Sequence, residues 1–170
     1  RRIDRLTTRP PMTPDLSGDA GWQPLASFAT AMGTRSFVST DDEGDRIRVR
    51  YYTDDAGHVW ARAWFGPGAE GPPGHAHGGA LAALLDEAMG MAALASGRIV
   101  VAARIEVDFR ALVPLRQVVT AEVAVGEAVG VKVPVRAVLR RGDRVACEST
   151  GLFVEVGTEG MGEAAARAGR

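Results

Sequence analysis

The stretch Gly71-Pro-Pro-Gly-His-Ala-His-Gly-Gly-Ala-Leu-Ala-Ala-Leu-Leu-Asp-Glu-Ala-Met-Gly90 decides how the rest of the chain is read. The Gly- and Pro-rich run over residues 66–74 breaks regular structure, and Gly78-Gly79 lead into one strong helical pattern over Ala80 to Ala95. Alanines fall on several sides of that helix, so other elements can embrace it closely. It is expected to be the buried central helix.

On both sides of it the period changes to two. Ile47, Val49 and Tyr51 alternate with arginines. After a turn over residues 53–57, Val59, Ala61, Ala63 and Phe65 alternate with His58, Trp60, Arg62 and Trp64, which predicts a hairpin with one solvated face. Beyond the helix come Ile105 to Phe109, Val119 to Val125, Val131 to Leu139 and, after a tight turn at Arg141-Gly-Asp143, Val145 to Val156. Before the hairpin, Leu25, Phe28, Ala29 and Met32 have helical spacing and end at Gly33, predicting a short helix over residues 22–32. The order is helix, two strands, long helix, four strands. With no strand-helix alternation, a doubly wound nucleotide fold is disfavoured. The expected class is α+β, an antiparallel β-sheet wrapped around a long central α-helix. Pro134, inside a strand pattern, requires an edge or a bulge. Residues 1–20 read as an N-terminal tail, 21–156 as the domain, and 157–170 as a C-terminal tail with a turn over Glu163–Arg167.

Composition narrows the function. A chain of 170 residues supports one compact domain, and 46% hydrophobic with 24% charged residues is an ordinary globular balance. A formal net charge of -1 provides no basic field for nucleic acid. The Ala80 to Ala95 stretch is interrupted by Asp86 and Glu87 and falls short of a bilayer span of ~20 residues, so no membrane partner is expected. The arginine-rich start lacks the apolar run of a signal peptide, and a cytoplasmic location is the expectation. The single cysteine, Cys147, excludes an internal disulfide and reads as an inert, half-buried strand thiol.

Glycines at a helix start leave outward-facing backbone N-H groups at the positive end of the helix dipole, and the missing Cβ at Gly78 and Gly79 allows close approach by a carbonyl oxygen. Such a turn can hold an oxyanion. Asp86 lies in mid-helix among apolar neighbours, where a lone carboxylate is costly unless it meets a cleft. The alternative is a solvated stripe made by Asp86 and Glu87. Gly79 and Asp86 are two turns apart on one face, about 10 Å along the axis, so one helix does not easily bring both to one carbonyl. Two antiparallel copies do, with the glycine turn of one facing Asp86 of the other. His75 and His77 form a His-x-His pair without an obvious third ligand, so no metal is expected. No Lys-Ser/Thr follows Gly79, so no nucleotide loop is expected either.

The run His77-Gly78-Gly79 with Asp86 nine residues after the histidine resembles the hotdog-fold acyl-CoA thioesterases of the phenylacetate-degradation type, and Gly71-Pro-Pro-Gly74 resembles the mitochondrial acyl-CoA thioesterase branch. Glu106-Val-Asp-Phe-Arg-Ala-Leu-Val-Pro-Leu115 is similar to that family's strand after the central helix. The resemblance covers about residues 22–156. It implies a hotdog fold and hydrolysis of an acyl-CoA or acyl-carrier thioester by a homodimer or homotetramer, without a cofactor. It further implies Asp86 as general base or nucleophile, the Gly78 or Gly79 N-H as oxyanion donor, and His77 shaping that turn. The sequence departs from the pattern at two places: Ala102 stands where relatives often carry Ser or Thr, and Gly71 where the phenylacetate branch carries Asn. The fold also hosts acyl-thioester dehydratases, for which His75 or His77 with Glu87 is the candidate pair, and a non-catalytic acyl-CoA binder is the third reading.

Overall fold

A computed structural model describes residues 13–157; the turn expected over Glu163–Arg167 lies outside the described residues. The elements are β1 (Gln23–Leu25), α1 (Phe28–Met32), β2 (Ile47–Thr53), β3 (Val59–Phe65), α2 (Gly78–Ala95), β4 (Val100–Phe109), β5 (Val118–Val125), β6 (Lys132–Arg141) and β7 (Arg144–Glu155). All strands pair antiparallel in one sheet of order β1-β2-β3-β5-β6-β7-β4, and α2 packs against one face of it. This is the expected hotdog architecture.

The period-two pattern explains the inner face. Val49, Ala61, Ala63, Val123, Val135 and Leu139 are buried there against Leu81, Leu84, Leu85, Ala88 and Met89 of α2. By length and mean hydropathy (1.3 over 18 residues) α2 would pass as a membrane-crossing helix; here its apolar residues form the core of the domain. Helix and sheet pack tightly at Gly151 of β7, where an added Cβ would lie 3.1 Å from Met89 Sδ of α2 and 2.5 Å from the ring of Phe153 on the same strand. Cys147 is fully buried, deeper than expected, and burial pushes its thiol up to about 11, so it is inert at neutral pH.

Three sequence expectations are corrected. The segment from Trp22 to Leu25 is not helical: Gln23, Pro24 and Leu25 pair with Thr53, Tyr52 and Tyr51, making a seventh strand. Proline is tolerated there because β1 is an edge strand, and the helix starts only at Phe28, after Ser27 caps the Thr30 N-H. The helix does end at Gly33, in the left-handed region at φ 62.

The outer face of the β2–β3 hairpin is solvated only in part: Arg50 is exposed, but the aromatic residues of that face are half-buried or buried. Trp22 stacks on Trp60 at 4.6 Å, Arg62 lies over Trp22 and pairs with Asp19, and Tyr52 Oη donates to the Leu16 carbonyl at 2.7 Å. Residues 16–22 thus cover aromatic surface that alternation alone assigned to water. Pro134, finally, sits in a strand paired on both sides. It lies just beyond the last β5–β6 pair, Val125 with Val135, and its carbonyl accepts from the Gly126 N-H at 2.8 Å, so its missing donor falls where that ladder has ended.

Adding a methyl at Gly151 tests this packing. Gly151→Ala is expected to lower stability by about 1–3 kcal/mol, read as a reduced urea midpoint at unchanged m-value.

Candidate active site

The loop before α2 is tightly built. Glu70 Oε1 accepts from the Gly74 N-H at 2.6 Å, the Gly71 N-H donates to the His75 carbonyl, and Gly74 turns the chain at φ 73. At Gly71 a Cβ would lie 2.7 Å from His77 Cα, so the loop folds onto His77 only because that position lacks a side chain. Asn, expected there from the resemblance, does not fit this backbone. The loop delivers His77 as the N-cap of α2, which begins at Gly78, two residues earlier than the periodicity indicates.

His77 Nδ1 accepts the Gly79 N-H at 2.9 Å, so a neutral imidazole carries its proton on Nε2 and presents it as a donor. This bond also occupies one of the two N-H groups expected at an oxyanion site. Gly78 N-H has no partner among the described residues, and the Phe109 ring lies against its Cα side, 3.4 Å from where a Cβ would be. His77 and Gly79 are exposed in the single chain. His75 turns to its own loop, with Nδ1 2.8 Å from the Pro73 carbonyl.

Asp86 is on the exposed stripe of α2, two turns from the glycine pair, so one protomer does not bring the two together. It lines a cavity of about 370 Å³ with Phe28, Phe37, Ala83, Ala102 and Phe153 among its walls, and a second cavity of about 420 Å³ borders His77 and Gly79. Protein atoms crowding the carboxylate raise its pKa, and the neighbouring Glu87 charge raises it further. Ala102 adds only a methyl to this cavity, at a bulge in β4 between Ala102 and Arg104.

Glu87 does not form a solvated stripe with Asp86. It turns inward, accepting from Tyr51 Oη at 3.0 Å and from Ser36 Oγ, and within one protomer it pairs with neither His75 nor His77. Burial and the Glu87 charge push the Tyr51 phenol well up, so it stays a donor. Sequence reading passed over Tyr51 and Ser36. The signal was available at Tyr51, since an inward phenol in an apolar strand face needs a polar partner from the element packed on it.

Comparison with known proteins gives a consistent picture. The Thioesterase superfamily profile matches residues 73–148. Acyl-coenzyme A thioesterase THEM5 of Homo sapiens is 31% identical over 99 residues, covering 56% of this chain and 40% of that protein. Its Mus musculus counterpart is 30% identical over 96 residues, covering 55% and 39%. The chain therefore spans about two fifths of the length of the curated relatives it matches. A solved thioesterase superfamily protein superposes with a TM-score of 0.61 at 28% identity, over 64% of this chain and 54% of that one. A hypothetical thioesterase protein solved with coenzyme A, from Streptococcus pneumoniae TIGR4, shares the fold with a TM-score of 0.59 at 19% identity, over 66% of this chain and 87% of that one.

The Asp86 carboxyl is expected to titrate above the ordinary aspartate value of about 3.9, and its midpoint is expected to fall in Glu87→Gln, as read by carboxyl-carbon NMR. Because the folded-state value is raised, wild-type stability is lost as pH rises through it. Asp86→Asn escapes that loss and is expected to gain stability relative to wild type above the midpoint, measured by urea unfolding on either side of it.

Proposed function

We propose, from the premise that the hotdog domain matched over residues 73–148 belongs to the thioesterase superfamily, that this chain hydrolyses acyl-CoA thioesters to free acid and CoA. The observation that carries the reading is the pairing on one helix of an unpartnered Gly78 N-H at the N-terminus and a cavity-lining carboxylate, Asp86, two turns on. The names of the human and mouse relatives point to the same substrate class.

Thioester hydrolysis requires a base or nucleophile at the acyl carbon and donors where negative charge develops on its oxygen. Asp86 supplies the first, activating a water or attacking directly. The Gly78 N-H and the Nε2-H of His77 supply the second, helped by the α2 dipole. The Gly79 N-H holds the His77 ring in the tautomer that donates, and it becomes a further donor when that ring swings aside.

The two halves of the site come from different protomers in this reading. Each half is exposed in the single chain, and β4 ends the sheet as a ten-residue edge with Val101 and Phe109 exposed at 46% and 55%. A long edge strand leaves a row of unpaired backbone N-H and C=O groups, and a second copy placed antiparallel would pair them and cover Val101 and Phe109 while bringing Asp86 to the partner's glycine turn.

A thiol-release assay over acyl-CoAs is expected to show turnover in wild type and a loss of about 10²–10⁴-fold in Asp86→Asn; equal rates would refute the assignment. Subunit complementation tests the shared site. Asp86→Asn and Gly79→Val are each expected to be nearly inactive, and unfolding and refolding them together in equal amounts should restore about a quarter of wild-type activity, since half the dimers are mixed and each holds one intact site. A site confined to one protomer gives no recovery.

A further inference from the structure

The segment between α1 and β2 carries one of the most exposed aromatic residues of the domain. Phe37 is 81% exposed, yet it borders both the Asp86 cavity and the His77–Gly79 cavity, standing between them. An exposed ring has little packing of its own to fix it, so its place is set by the bonds of the backbone beside it. Ser36 does the holding. Its hydroxyl donates to Glu87 of α2 and accepts from the Val38 and Ser39 N-H groups at 3.1 and 3.2 Å, which uses its full hydrogen-bonding capacity. Glu87 is fixed in turn by Tyr51 of β2.

We propose that Arg35–Val38 is the specificity wall of the acyl cavity, pinned to α2 through Ser36 and Glu87, with Phe37 closing the cavity to all but compact acyl groups. This rests on the functional reading given above. The cavity beside Asp86, about 370 Å³, lies at the small end of the ~300–1,000 Å³ typical of ligand pockets. Phe28 and Phe153 form further walls, and Phe37 stands at the rim where the cavity meets the one beside His77 and Gly79. In this proposal Phe37 sets specificity by obstructing an extended chain at that rim. Glu87 and Ser36 are positioning residues, acting through the wall and not on the thioester.

Binding of non-hydrolysable alkyl-CoA thioethers, short to long, measured by calorimetry on the full chain, separates this inference from the catalytic one. Wild type is expected to favour short alkyl groups. Phe37→Ala should raise the ratio of long- to short-chain affinity by about tenfold or more. Ser36→Ala should move that ratio in the same direction and speed deuterium exchange at the amides of residues 37–39, while Ser36→Thr, which keeps the hydroxyl, restores the wild-type profile. An unchanged ratio in Phe37→Ala of wild-type melting temperature overturns the proposal. Thioether binding with the expected profile but no thiol release from the matching acyl-CoAs would sink the hydrolase reading and leave the wall standing; no thioether binding at all overturns both.

Discussion

The structure depends on one helix doing the work of an entire layer. Among the described residues a seven-stranded sheet has a single long helix to fill most of its inner face, with Val38, Ala69, Ala76 and Val113 completing the core, so Leu81, Leu84, Leu85, Ala88 and Met89 are buried together. Helix and sheet can approach closely because the contact residues are small: alanines on α2 and in β3 and β5, and Gly151 opposite Met89. Apolar burial on this scale is the dominant favourable term in folding, and it fixes the rotation of α2 about its own axis. With rotation fixed, Gly79, Ala83, Asp86 and Gly90 are left on the stripe that the sheet does not cover. The chemistry of the domain is therefore placed by the packing of its hydrocarbon.

Local sequence signals revealed much of this, and the reasons for the exceptions are physical. The central helix, the four strands after it and the glycine turn at its start are written in period and in residue type within short windows. The strand Gln23–Leu25 is not, because three residues containing a proline have no intrinsic preference for pairing; it exists only because Tyr51 and Tyr52 offer an edge. The partly covered outer face was misread for a related reason. Alternation reports which side of a strand faces the core, and it cannot report that Trp22 and Asp19 fold back over Trp60 and Arg62. Asp86 and Glu87, adjacent in sequence and both bordering one cavity, look alike by composition, yet Asp86 is exposed and Glu87 is held by Tyr51 and Ser36 from two other segments. Only the tertiary fold separates them.

The same packing accounts for the two places where the sequence departs from the pattern it resembles. Gly71 serves where a side chain would collide with His77, so the loop is braced by Glu70 and the Gly74 N-H in place of a side-chain amide. The hydroxyl lacking at Ala102 has no substitute on β4 itself. Polar groups reach the Asp86 cavity instead from α2 and from the segment ending in Val38, and that segment is shaped by the Ser36 hydroxyl.

Asp86 gains from its exposed position. A carboxylate buried by its own protomer would carry the full desolvation penalty during folding, before any partner or substrate could compensate. On the uncovered stripe it is only partly desolvated, enough to raise its pKa, and the charge of Glu87, whose own oxygens are bonded to Tyr51 and Ser36, adds to the shift. In the dimer proposed above, a second copy over the stripe would remove more water and raise the pKa further, which would make the carboxylate a better proton acceptor. On that proposal base strength would be generated by assembly, at a step where contact between two protomers offsets the cost, and the folding of each protomer would be spared the buried charge.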